Sequence, residues 1–249
     1  MIAIIGGSGL NELQGFNLIS RESITTAYGT EPVLVSRGYL QGVEVCFLAR
    51  HGEGHTIPPH RINYLSNIAA LKQLHVKAVI AVNAVGGIHP KIGPGIIAIP
   101  SQIIDYSWGR EHTIFDGRAD VVTHVDFTDP YDKKLRHLLL SAAQTKGLSV
   151  WPQGVYGCTQ GPRLESAAEV RRLLQDGCDM VGMTGMPEAA LAREMEIPYA
   201  CIALSVNWAA GISDQLITME SIYAVLDSGM GSIQAIVQQA VVQWSHESC

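Results

Sequence analysis

Arg50 and His51 stand together in "ARHGEGHTIPPHR" (49–61), directly after the apolar run "EVCFLA" (44–49). The planar guanidinium fork suits two parallel hydrogen bonds to an oxyanion. An exposed Arg–His pair would read the same way. His51 and His55 have the i, i+4 spacing of a helical metal pair, but Gly52, Gly54 and the Pro58–Pro59 pair oppose a helix there, so no metal is expected. A second candidate is "GGSGL" (6–10), which follows "AIIG" (3–6). Consecutive backbone N–H groups in a glycine turn can cradle an anion, and Ser8 adds a hydroxyl donor; a plain turn is the alternative. It is not a dinucleotide fingerprint, because position 12 is Glu12, and Leu10 breaks the nucleophile-elbow pattern.

Further glycine-rich junctions recur along the chain. "VNAVGGI" (82–88) is another turn after a strand, offering backbone donors from Ala84 onward. "GCTQGPRLES" (157–166) puts Glu165 near a helix start, where an acid also suits the helix dipole. "GMTGMPEAAL" (182–191) puts Thr184 just before a helix opened by Pro187. In "YACIALSVNWAAGI" (199–212) an apolar run ends on Asn207, with alanines after it. Such an amide either turns the chain by bonding its own backbone or reads a ligand.

The elements that must position these residues follow from hydrophobic pattern. Strands are expected at 3–6, 44–49, 76–84, 95–100 and 199–206, and helices at 61–74, 132–147, 166–177 and 187–195. A long amphipathic segment runs from about Thr218 to Trp244. The alternation predicts an α/β fold, a single domain over 1–249 with a central parallel or mixed sheet flanked by helices. Ligands of such sheets bind where strands end and loops converge, which is where the candidate residues lie.

Composition narrows the function. The 249 residues are 47% hydrophobic and 16% charged, with net charge −6 and no run of Lys or Arg. Nucleic acid and polybasic membrane attachment are therefore not expected. No apolar stretch has the length of a membrane span, and "MIAIIGGSGL" has no signal-peptide character. Five widely spaced cysteines (Cys46, Cys158, Cys178, Cys201 and Cys249) without a C-x-x-C suit free thiols in a reducing cytoplasm.

Taken in order, "IIGGSGL", "LARHGEGHTIPPHRINYLSNIAALK", "NAVGG", "GPRLES" and "GMTGMPEAALARE" resemble the trimeric purine nucleoside phosphorylase and methylthioadenosine phosphorylase family. The resemblance implies phosphorolysis of an N-glycosidic bond, with inorganic phosphate as co-substrate and neither cofactor nor metal. It places phosphate on Ser8, Arg50, His51, the backbone of Ala84, and Thr184, with Met183 under the ribose. It also implies a trimer or dimer of trimers, with His124 reaching the neighbouring subunit's sugar and His55 nearby.

Two positions carry base specificity by the same resemblance. Members that take 6-oxopurines use an Asn and a Glu, matched here by Asn207 and Glu165. Adenine-specific members have two Asp separated by one residue and a Ser, whereas here Ala209 stands at the second Asp position. An ionised Glu only accepts hydrogen bonds, so it suits N1–H of hypoxanthine and repels the bare N1 of adenine. At the 5′ end of the ribose the usual His is absent, and Met219 in "QLITMESI" (215–222) suits a methylthio group. The combination resembles the bacterial methylthioinosine phosphorylases of the family. Leu164 stands where many members place a stacking Phe, which implies weaker base stacking. The alternatives are release of adenine from methylthioadenosine, phosphorolysis of inosine or guanosine, a hydrolase and a non-catalytic purine binder.

Overall fold

The computed structural model describes residues 1–10, 13–117 and 123–247. Its strands are β1 (Ile2–Gly6), β2 (Phe16–Ile24), β3 (Val33–Leu40), β4 (Val43–Ala49), β5 (Val79–Gly87), β6 (Ile97–Ala98), β7 (Gln102–Asp105), β8 (Val155–Cys158), β9 (Met180–Gly182) and β10 (Tyr199–Trp208). The helices are α1 (Tyr64–Gln73), α2 (Lys133–Thr145), α3 (Ala167–Gln175), α4 (Glu188–Glu194) and α5 (Met219–Glu247). The strands form one mixed sheet in the order β2-β3-β4-β1-β5-β9-β8-β7, with β10 on β5 and β6 on β10. This is the expected α/β architecture.

The parallel core β4-β1-β5-β10 is buried on both faces, which is why its strands read as unbroken apolar runs. Side chains alternate across it. Ala3 and Ile5 of β1 join a cluster with Leu65 and Ile68 of α1 and Leu191 of α4. Ile2 and Ile4 join the opposite cluster with Leu135 and Leu139 of α2 and Ile233 and Val237 of α5. One layer of helices thus covers each face.

Several strands escaped the sequence reading. β2 and β3 extend the sheet as an antiparallel ribbon whose outer residues are solvent-exposed, so they lack an apolar run. The turn from β3 to β4 uses Gln41 (φ 51°) and Gly42 (φ 79°), a two-residue hairpin turn with both residues left-handed. The expected strand 95–100 shrinks to Ile97–Ala98, since Pro94 and Pro100 cannot donate to a ladder. Cys46, Cys158, Cys178 and Cys201 are buried free thiols, and Cys249 lies outside the described residues. No helix among the described residues is long and apolar enough to cross a membrane.

The topology gathers chemistry on one side. β1 delivers Ser8, β4 delivers Arg50 and His51, and β10 delivers Asn207, all from parallel strands. β9 runs antiparallel to β5 and so brings Thr184 back beside Asn83. Ile80, fully buried in β5, anchors this arrangement in the cluster under α2 and α5. Ile80→Ala should cost about 2–5 kcal/mol, read as a lower urea midpoint at unchanged slope.

Candidate active site

A cavity of about 140 Å³ opens where these strand ends meet. Ser8, Arg50, His51, Ala84 and Thr184 line one part of its wall, and Leu164, Glu165, Met183 and Asn207 line another. The structure thus brings together all the anion-binding candidates and most of the base and ribose candidates.

Arg50 is almost wholly buried, at 1% exposure. Its Nε and Nη2 donate to the two carboxylate oxygens of Glu188 at 2.7 and 2.8 Å, and Nη1 donates to the Val82 carbonyl at 3.1 Å. Burial alone would lower the pKa of the guanidinium, but the adjacent Glu188 carboxylate more than reverses this and raises it. The first glycine turn closes over this group. A Cβ on Gly7 would sit 2.5 Å from the Val82 oxygen and 2.9 Å from Arg50 Nη1, so no side chain fits there.

Each neighbouring donor is similarly tethered. Asn83, buried in β5, donates from Nδ2 to Thr184 Oγ1 at 2.8 Å and accepts from Cys201 Sγ at 3.2 Å. With a lone pair of Thr184 occupied, its hydroxyl proton is free for the cavity. His51 Nδ1 lies 2.8 Å from the Ile57 carbonyl, which can only accept, so Nδ1 carries the proton. Burial first, and then the Arg50 charge, lower the imidazole from 6.5 to about 4. His51 is therefore neutral near pH 7, with Nε2 as an acceptor. The His55 ring lies against it, tilted by 37° with centroids 4.2 Å apart, and places Nε2 3.4 Å from Ser8 Oγ.

The other part of the wall is built by a bulge and a cap. β10 pairs with β5 through Ser205↔Val85 and then Asn207↔Gly86, so Val206 is an extra residue and the strand bulges just before Asn207. Asn207 donates from Nδ2 to the Trp208 carbonyl at 2.7 Å, which fixes its amide and leaves one N–H and Oδ1 uncommitted. Glu165 is not a first-turn acid. Ser166 caps α3 in a capping box with Glu169, which takes the dipole role, and Glu165 lies one residue outside. Thr159 donates to Glu165 Oε1 at 2.5 Å, leaving Oε2 available. Ala209 also lines the wall.

Three expected contributors stand apart. Met219 opens α5 and is 57% exposed, outside the wall; the chain turns into the helix there, and the apolar end of the cavity is supplied by Ile217 and Ile222 instead. His124 is exposed and away from the cavity wall of its own chain. His55 is not in the wall itself but touches two residues that are, His51 and Ser8. No three His, Cys, Asp or Glu among the described residues are grouped to hold a metal.

Sequence reasoning missed Asn83, Thr159, Glu188 and Arg110. Asn83 had a signal, as a lone amide inside the apolar run 78–85. Glu188 read as a first-turn acid after Pro187, and nothing local announced its burial. Arg110 had no signal. It donates to the carbonyls of Thr159, Gln160 and Met183 at 3.2, 2.8 and 2.9 Å, and to that of Met186, tying the Glu165 loop to the Thr184 turn.

The His51 shift has a consequence for stability. Between pH 6.5 and about 4 the unfolded chain binds a proton at this position and the folded chain does not. Stability is therefore lost as pH falls through that window and the loss levels off below it. Urea midpoints measured across pH 7 to 4 should fall less steeply in His51→Gln than in the wild type; parallel curves would contradict a neutral buried imidazole.

The sequence and the fold are similar to those of known proteins. The family model described as "Phosphorylase superfamily" matches residues 1–242. A probable S-methyl-5'-thioinosine phosphorylase of Pseudomonas syringae pv. tomato is 51% identical over 239 residues, covering 96% of this chain and 97% of the relative. The 6-oxopurine nucleoside phosphorylase of Pyrococcus furiosus is 43% identical over 245 residues, covering 96% and 91%. Among solved structures, a methylthioadenosine phosphorylase from Schistosoma mansoni in complex with adenine superposes with a TM-score of 0.93 at 28% identity, covering 98% of this chain and 92% of that one. By the family model and by these relatives, the chain belongs to the phosphorylase superfamily.

Proposed function

We propose that this chain is, as a single catalytic domain, a purine nucleoside phosphorylase that prefers S-methyl-5'-thioinosine. It releases hypoxanthine and forms 5-methylthioribose 1-phosphate. The observation that carries the reading is the joining, in one cavity, of an anion cradle with an Asn–Glu pair suited to a 6-oxopurine. The names of the relatives that are 51% and 43% identical support the same substrate class.

In this reading phosphate sits against Arg50, Ser8, Thr184 and the Ala84 backbone. Neutral His51 accepts from a phosphate oxygen that carries a proton. A phosphate oxygen attacks C1′ of the ribose over Met183 while the bond to the purine breaks, and the bonding electrons leave with the base. Positioning of the phosphate supplies one part of the rate. Stabilising the charge that grows on the base supplies the other. As the base leaves with the bonding electrons, N7 takes a proton from solvent that replaces the one the attacking phosphate gives up. Asn207 has one N–H for O6 and Oδ1 for that N7–H, and the free oxygen of Glu165 accepts from N1–H. Leu164 borders the base, and Ile217 and Ile222 receive the methylthio group. Phosphate is the co-substrate, and the chemistry requires no cofactor or metal.

A cytoplasmic homotrimer or dimer of trimers, with no nucleic acid or membrane partner, completes the proposal, His124 serving a neighbouring subunit's sugar. Its support is the exposure of Leu18 (51%) and Leu34 (56%) along the groove beside β3. A solution mass of three or six times 26.9 kDa is expected; a monomeric mass would remove His124 from the site.

The deciding experiment is competition between methylthioinosine and methylthioadenosine, each with and without phosphate, reading the free base. Phosphate-dependent hypoxanthine release should dominate, by up to roughly 10⁴-fold if the polar contacts discriminate fully. Dominant adenine release, the activity named for the Schistosoma mansoni neighbour, would overturn the base assignment but keep the phosphorylase. Base release without phosphate would indicate a hydrolase. Asn207→Asp should shift the kcat/KM ratio toward methylthioadenosine, and Arg50→Ala should raise KM for phosphate far more than KM for nucleoside.

A further inference from the structure

We infer that Glu188 is a positioning residue for the attacking phosphate, acting through Arg50. The inference rests on the phosphorolysis reading above. Glu188 opens α4, is 0% exposed and does not itself line the cavity. Its two oxygens accept from Nε and Nη2 of Arg50, and Oε1 also accepts from the Tyr199 hydroxyl at 2.8 Å.

The donor count gives this arrangement its meaning. A guanidinium has five N–H groups. Glu188 takes one on Nε and one on Nη2, and the Val82 carbonyl takes one on Nη1. One N–H on each terminal nitrogen remains, and Arg50 lies in the cavity wall. The carboxylate therefore sets the rotation of the guanidinium plane and so the direction of those two donors. An anion arriving there meets a fork whose rotamers are already fixed, with no ordering cost left to bear.

A simple stabilising ion pair does not require this layout. A pair built only for stability has no need to end at a cavity, nor to brace its carboxylate from a third side. Here the brace is Tyr199, the first residue of β10, whose other end carries Asn207. The strand that orients the base reader thus also holds the carboxylate that orients the phosphate reader. In an empty site Glu188 also offsets the Arg50 charge, which would otherwise be buried alone.

The test separates phosphate binding from nucleoside binding. Initial rates of wild type, Glu188→Gln, Glu188→Asp and Tyr199→Phe are measured with phosphate and nucleoside varied in turn, and folding is checked by thermal unfolding. An amide puts an NH2 donor where one of the two accepting oxygens stood, so the two-oxygen pairing with Nε and Nη2 is lost, and Glu188→Gln should raise KM for phosphate at least about tenfold while KM for nucleoside stays within about twofold. Glu188→Asp should recover part of the loss, and Tyr199→Phe should show a smaller rise of the same kind. Equal rises in both KM values, or an unchanged phosphate KM in folded Glu188→Gln, would overturn the inference. Should Glu188→Gln fail to fold, Tyr199→Phe decides by the same split. A wild-type enzyme that releases base without phosphate overturns the phosphorolysis reading before any variant is made, and this inference with it.

Discussion

A fully buried guanidinium bonded to a fully buried carboxylate is the constraint on which the site is built. Taking two charges out of water costs several kcal/mol each, and removing one partner of such a pair costs about 3–5 kcal/mol. The fold must therefore hold the partners together wherever the chain places them. Arg50 comes from the end of β4, Glu188 from the first position of α4, the accepting carbonyl from Val82 in β5 and the bracing hydroxyl from Tyr199 in β10. Four elements converge on one ion pair. The first glycine turn can close over it only because Gly7 has no side chain. What looks like an anion site assembled from loops is thus anchored in the buried centre of the sheet.

The residues around the cavity share one design. Each has some of its hydrogen-bonding capacity committed to protein and some left over. Thr184 accepts from Asn83 and keeps its proton, and His51 gives its Nδ1 proton to Ile57 and keeps Nε2. Glu165 gives one oxygen to Thr159, and Asn207 gives one N–H to Trp208. The committed half fixes the rotamer, and the free half is left at the cavity with its direction set. Catalysis by positioning needs this, because groups that must be ordered in each turnover give back part of the rate.

This division explains what was legible in the sequence. The buried parallel strands were visible, since two covered faces demand continuous apolar runs, and the free halves of the site followed from motifs at their ends. The committing partners were not. Asn83 and Thr184 are 101 residues apart, and Arg50 and Glu188 are 138 apart, so no local pattern joins them. The β2–β3 ribbon was missed because one face meets solvent, and the Gln41–Gly42 turn that joins β3 to β4 lacks the usual Asn-Gly or Asp-Gly hairpin signal. Met219, exposed at the start of α5, was hard to place for a related reason. Its chemistry suits an apolar pocket, but the exact residue at which a helix begins decides which side chain faces inward, and a thioether and an isoleucine two positions away read alike.

Asn207 resolves a choice that the sequence posed as exclusive. An asparagine at a strand end either bonds the local backbone or reads a ligand, and here it does the first in a way that equips it for the second. The bulge at Val206 turns the side chain into the cavity, and the Trp208 carbonyl selects which end of the amide is nitrogen. A free asparagine could flip to present donor and acceptor in either order, so it would discriminate weakly between O6 and an amine. Tied to a carbonyl, it offers them in one order only. The order in which this position presents donor and acceptor therefore belongs as much to a backbone oxygen and an extra residue in a strand as to the asparagine itself.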